Sequence, residues 1–218
     1  MTTRKLFWED PYLTECTAIV TEINVNVVKL DQTIFFAFSG GQATDSGTIG
    51  GINVSEAIKQ GDKETVLDIE YVLEKQPDFK VGDEVIVKID PIKRDKLRRL
   101  HSAVHILHYL FFDTIKRELE CIGSNITEEK GRIDYLYEKP LTEHIPELEQ
   151  KMNKFIVEDH KIERIKDPNK PELLYWICNN WKMPCGGTHI HSTKEIGTIK
   201  LKRKNIGSGK ERFEVMLN

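Results

Sequence analysis

The chain has 218 residues, of which 39% are hydrophobic and 31% charged, with a formal net charge of −3. This balance fits a soluble globular protein with a real core, built as one large domain or two modest ones, and a mildly acidic total argues against nucleic acid coating the whole surface. The longest apolar runs, 33–38 and 104–112, fall well short of the roughly 20 residues of a membrane-spanning helix, and the N-terminal stretch lacks the apolar centre of a signal peptide; a cytoplasmic location is expected.

Residues 1–90 predict β structure. The stretch 17–28 is rich in β-branched residues, 34–38 is a short apolar run, 66–72 alternates roughly and 85–89 alternates cleanly. Turn formers separate these runs at Leu30-Asp31-Gln32, Ser39-Gly-Gly41, Gly50-Gly51, Gly61-Asp62 and Val81-Gly82-Asp83. Short strands with regular turn signals predict a small β-barrel or sandwich. The pattern changes at Asp90-Pro91, an N-cap followed by a first-turn proline. Leu97, Leu100, Val104, Leu107, Phe111 and Ile115 then recur at helical spacing and predict an amphipathic helix to about Glu120. We place a domain boundary there, with 91–218 an α+β domain. Within it, 123–130 predicts a break, 132–137 a strand, 146–159 a helix with Leu148, Met152, Phe155 and Ile156 on one face, and 162–165 a strand. The stretch 173–178 fits more than one state, Gly186-Gly187 is a loop, and 196–204 with 211–217 predicts a hairpin around Gly207-Ser-Gly209.

Two short motifs carry the chemistry. His101-Ser-Ala-Val-His105 sets two imidazoles one turn apart on the first helix, so both face the same way. Cys185-Gly-Gly-Thr-His189 adds a thiol and a third imidazole, and its glycines let the backbone fold so that both side chains meet one ion. Either motif alone is ordinary: half-buried histidines on a helix, or a thiol beside a turn. Together they make a zinc-type donor set. Four protein donors favour a closed structural site, whereas a histidine-rich set with one cysteine leans towards chemistry. His108 continues the same helix edge as a packed or supporting group, not a ligand. Without paired spacing, Cys16, Cys121, Cys178 and Cys185 suit a reducing compartment.

Basic residues cluster twice, at Lys93, Arg94, Lys96, Arg98 and Arg99 and again at Lys200, Lys202, Arg203, Lys204, Lys210 and Arg212. Positive charge in the first turns of a helix opposes its dipole, so the first cluster is either a solvated face or a phosphate contact.

The segments Arg99-Leu-His101-Ser-Ala-Val-His105-Ile-Leu-His108, Cys185-Gly-Gly-Thr-His189 with Glu195-Ile-Gly197, and Ser39-Gly-Gly-Gln42-Ala-Thr-Asp45-Ser-Gly47 resemble, in order and spacing over nearly the whole chain, the editing domain of alanyl-tRNA synthetases and its free-standing AlaX-type relatives of medium length. The family loop commonly has a proline where this chain has Ala43. The resemblance implies an N-terminal β-barrel-like domain followed by a zinc-containing α+β editing domain. It implies one Zn2+ per chain held by His101, His105, Cys185 and His189, with Gly40, Gly41, Gln42, Asp45 and Thr188 beside the substrate. Nothing resembles the ATP-binding synthetase domain, so the implied protein is a trans-acting, ATP-independent hydrolase, monomeric or homodimeric. It would deacylate mischarged tRNA(Ala), chiefly Ser-tRNA(Ala) and secondarily Gly-tRNA(Ala), with Lys93, Arg94, Arg98, Arg99, Lys202 and Lys204 against the tRNA acceptor end. The alternatives are editing of Ser-tRNA(Thr), or a non-catalytic RNA-binding module with structural zinc.

Overall fold

The computed structural model describes residues 2–61, 68–170, 172–207 and 209–218. The first half runs β1 (Arg4–Lys5), a single helical turn α1 (Leu6–Glu9), β2 (Glu15–Asn24), β3 (Val27–Leu30), β4 (Gln32–Thr33), β5 (Gly47–Ile49), β6 (Ile52–Gln60), β7 (Asp68–Leu73) and β8 (Glu84–Ile89). Six of these strands pair antiparallel in the order β2-β3-β7-β6-β5-β8, and β8 pairs back to β2, so the sheet closes on itself. The alternation in β8 buries Val85, Val87 and Ile89, and that in β7 buries Ile69, Tyr71 and Leu73. The β-rich stretch 17–28 is two strands, because Val25 turns the chain with a φ of 58° between Asn24 and Asn26. Of the expected 66–72 run and the Gly61-Asp62 turn, residues 62, 66 and 67 lie outside the described residues.

The apolar run 34–38 is not a strand. Ile34, Phe35, Phe36 and Ala37 are buried, and side chains take over the work of a ladder. Phe35 N–H donates to Thr33 Oγ1 at 3.0 Å and Phe36 N–H to Asp45 Oδ2 at 2.7 Å; Tyr71 Oη donates to Phe35 O at 3.0 Å and Arg94 Nη2 to Ile34 O at 2.6 Å. A buried backbone needs such partners wherever strand pairing is missing. Of the expected site residues, Asp45 and Arg94 form a fully buried ion pair that seats this segment. Removing one partner of such a pair leaves an uncompensated charge, at a cost of about 3–5 kcal/mol. Asp45→Ala is accordingly expected to lower the unfolding free energy by about that amount in a denaturant titration.

The second half comprises α2 (Pro91–Ile115), β9 (Cys121–Ile126), β10 (Gly131–Leu136), α3 (Ile145–Val157), β11 (Ile162–Lys166), β12 (Leu174–Cys178), β13 (Trp181–Pro184), β14 (Ile199–Asn205) and β15 (Lys210–Leu217). Its sheets are ordered β14-β15-β10-β9 and β11-β12-β13. The Asp90 carboxylate accepts the Ile92 and Lys93 amides, capping α2 at the expected place. The helix stops at Ile115, short of Glu120, where Lys116 turns left-handed with a φ of 55°. The break expected over 123–130 is partly strand, since 121–126 pairs along β10 as the sheet edge. The hairpin begins at Ile199 because Ile196 belongs to a short 3-10 turn, Thr193–Ile196; Ser208 at its tip lies outside the described residues.

Buried apolar side chains form two clusters, one drawn from residues 7–89 plus Leu174 and the other from residues 97–215. From α2, Leu97, Leu100, Leu107 and Phe111 are fully buried, and Phe111 packs edge-on to Phe213 at 4.9 Å. Each such side chain contributes about 1.5–3 kcal/mol. The glycine loop crosses from the first half to β9: Ile126 N–H donates to Gly41 O at 2.7 Å, and Ala43 N–H to Ile126 O at 2.9 Å. Gly41 has a φ of 83°, and a Cβ there would lie 2.7 Å from Ser124 O. None of the described helices is long and apolar enough to cross a membrane.

Candidate metal centre

Where the two halves meet, α2 presents His101 and His105, and the loop after β13 presents Cys185 and His189. Their ligand atoms all lie within 4.8 Å of one another, so the four could hold a metal ion. The donor set is of the kind that zinc takes. A tetrahedral ion with nitrogen and sulfur donors holds them roughly 3.3–3.7 Å apart; Cys185 Sγ lies 3.5 Å from His101 Nε2 and 3.2 Å from His189 Nε2. His105 Nδ1 is buried without a hydrogen-bond partner. Burial pushes the His101 imidazole down to about 3 and those of His105 and His189 well below the ordinary range. All three are therefore neutral, the form that offers a lone pair. Burial pushes the Cys185 thiol up to about 11, against the opposing pull of the Gly187 amide and of Arg164. A metal would take the thiolate and release its proton.

Neighbouring side chains orient the imidazoles. Gln42 Oε1 accepts from the Thr188 amide at 2.9 Å and lies 2.8 Å from His101 Nδ1, while Gln42 Nε2 donates to Thr188 Oγ1 at 2.9 Å. An amide oxygen can only accept, so His101 carries its proton on Nδ1 and turns Nε2 towards the cluster. Ser102 Oγ holds His189 Nδ1 at 3.0 Å. Gln42 and Thr188 are completely buried. Their side-chain polar groups are engaged with one another and with His101. Gly187 is required here, since a Cβ would lie 2.2 Å from His101 Cε1.

The loop itself is held from both sides. Trp8 Nε1 donates to Gly186 O at 2.8 Å, and Arg164 Nη1 donates to Gly187 O at 3.0 Å while its Nη2 reaches Phe7 O at 3.1 Å. No sequence signal singled out Trp8 or Arg164; Ser102 at least lay inside the first motif.

A cavity of about 440 Å³ opens onto the cluster, lined among others by Gly40, His101, His105, His108, Cys185 and Gly186. His189 is fully buried and does not line it. The cluster is therefore closed behind His189 and open on the side of His101, His105 and Cys185. Of the loop glycines, Gly40 reaches the cavity wall, whereas Gly41 lies against Ser124.

The basic run at the start of α2 faces inward more than expected. Arg98 is buried with its guanidinium 3.7 Å over the Tyr12 ring and an ion pair to Asp95. Arg99 is half-buried and donates twice to Ile196 O, at 3.1 and 2.8 Å, so it too serves the fold. Lys93 is half-buried, whereas Lys202 and Lys204 are exposed on β14.

The chain thus joins a closed β unit to an α+β unit, with a cysteine–histidine cluster that could hold a metal ion opening onto a cavity at their junction. Residues 174–214 match the family described as Threonyl and Alanyl tRNA synthetase second additional domain. The chain is 38% identical over 218 residues to the alanyl-tRNA editing protein AlaX-M of Pyrococcus horikoshii, covering 99% of this chain and 98% of that protein. It is also 34% identical to the alanine–tRNA ligase of Ignicoccus hospitalis and 30% identical to that of Sulfurisphaera tokodaii, covering 97% and 91% of this chain but only 26% and 24% of the ligases. The chain belongs to the AlaX-M type of alanyl-tRNA editing proteins.

Proposed function

We propose that the chain is a trans-acting, zinc-dependent hydrolase of the cytoplasm that removes serine, and secondarily glycine, from tRNA(Ala). The observation that carries this reading is the position of the donor cluster. Three imidazoles and a thiol lie at a cavity wall with one side open, and His101, His105 and Cys185 border the space an aminoacyl ester would enter. A purely structural zinc site would have no need of that opening.

His101, His105, Cys185 and His189 would hold the ion. When bound, zinc supplies Lewis acidity to the ester carbonyl and the attacking water. The remaining work falls to the chain. Gln42 and Ser102 fix the imidazole orientations, and Trp8 and Arg164 fix the loop. The largely apolar wall, with Val104, Ile133 and Met183, limits bulk water around the ester. Water adds to the carbonyl carbon, the bond to the ribose oxygen breaks, the ribose oxygen takes a proton, and the free amino acid leaves. Lys202 and Lys204, with Lys93, would meet tRNA phosphates; such contacts show up as salt-dependent affinity without sequence preference.

The test is deacylation of Ser-tRNA(Ala), Gly-tRNA(Ala), Ala-tRNA(Ala) and Ser-tRNA(Thr) by metal-loaded protein, with and without a chelator. Release of serine from tRNA(Ala) that the chelator abolishes is the expected result. Inactivity of the loaded protein on every ester defeats the enzyme reading. Activity that survives chelation together with His101→Ala and Cys185→Ala defeats the metal reading.

A further inference from the structure

Beyond His101, His105 and Cys185, the polar side chains lining the cavity include Ser39, Cys121, Ser124 and His108, and of these the imidazole is the one held by a buried tyrosine. His108 lies one turn beyond His105 on α2 and lines the same cavity. Its Nδ1 is 2.8 Å from the hydroxyl of Tyr135. Tyr135 is completely buried, and burial holds its phenol protonated, well above the usual range. Among the described residues His108 is the sole hydrogen-bond partner of that hydroxyl. A buried hydroxyl uses its proton on the acceptor at hand, so Tyr135 donates to Nδ1. The neutral imidazole must then carry its own proton on Nε2. That nitrogen makes no hydrogen bond within the described residues, and unlike His105 Nδ1 it is not sealed away from the cavity.

The result is a fixed N–H donor on an otherwise largely apolar wall. It stands about 4.5 Å along the helix axis from the His105 position. An aminoacyl ester seated at His101, His105 and Cys185 would share one cavity with His108. Size alone cannot select serine over the smaller alanine, so discrimination requires a group that recognises the hydroxyl itself. Building on the editing reading above, we propose that His108 is a specificity-determining residue whose Nε2–H donates a hydrogen bond to the side-chain hydroxyl of the seryl ester, with Tyr135 setting its tautomer.

The experiment compares kcat/KM for Ser-tRNA(Ala) and Gly-tRNA(Ala), because the glycyl ester has no hydroxyl to lose. Replacing one hydrogen bond, His108→Leu lowers the serine value about three- to tenfold and leaves the glycine value unchanged. Tyr135→Phe shifts the ratio the same way, and His108→Gln, which keeps an N–H near the Nε2 position, restores most of it. Binding of non-hydrolysable seryl- and glycyl-amide analogues of adenosine provides a readout without turnover: the wild type prefers the seryl analogue and His108→Leu loses the preference. An equal fall for both esters, or an unchanged ratio, overturns the assignment while leaving editing intact. A wild-type protein that cleaves neither ester overturns the editing reading, and the assignment with it.

Discussion

The side chain of Gln42 makes three hydrogen bonds, all to Thr188 and His101. Two fasten Thr188 and the third sets the proton of His101. Its place in a glycine-rich loop marks it as important, but the sequence cannot distinguish a side chain that touches substrate from one that aims a ligand. That difference depends on which way a buried amide points after two distant segments meet. Losing the orienting partner of a ligating histidine typically weakens metal binding by about 10–100-fold. Gln42→Ala is therefore expected to lower zinc affinity by that factor in a chelator competition, with far-ultraviolet circular dichroism unchanged. Affinity equal to wild type would mean that His101 needs no such anchor.

Among the elements, α2 was the most readable, because a cap, a first-turn proline and an apolar stripe all agree on one helix and set two histidines on one face. The four donors that could hold a metal were readable for the same reason: their spacing is local, and only the meeting of the two motifs is not. The strands were less so. The run 34–38 has strand-like composition, yet Asp45, Tyr71 and Arg94 satisfy its backbone, and the last two lie far away in sequence. Conversely β9 and β13 gain their order from pairing with β10 and β12, which their own residues do not announce. The glycine loop shows such pairing at its tightest. Ala at position 41 would have to hold a left-handed backbone and push Ser124 away. Gly41→Ala is expected to cost about 1–3 kcal/mol, seen as a lower urea midpoint, whereas Gly40→Ala, with open space for its Cβ, bears only the backbone strain. Equal midpoints for the two variants would rule out the packing argument.

At the scale of the whole molecule, the metal centre lies on the seam between the two apolar clusters. Trp8 and Gln42 reach it from the first half, and Arg164 reaches back from the second to Phe7. The donors come from a helix and a loop 80 residues away, so the set exists only when the chain is folded. An ion that binds the native state alone stabilises it by about 2.7 kcal/mol at a free concentration 100 times its dissociation constant. For a chain of this size each kcal/mol raises Tm by about 2–4 °C, which predicts a rise of roughly 5–11 °C on adding zinc to chelated protein. Cys185→Ala should abolish most of that rise, because it removes the single thiolate. Lys202→Glu should leave it intact, since that side chain is exposed on β14 and is not one of the four donors. Scanning calorimetry of the three proteins with and without zinc decides the matter: a wild-type Tm indifferent to zinc would mean that the donors do not act together as one site, whatever their distances.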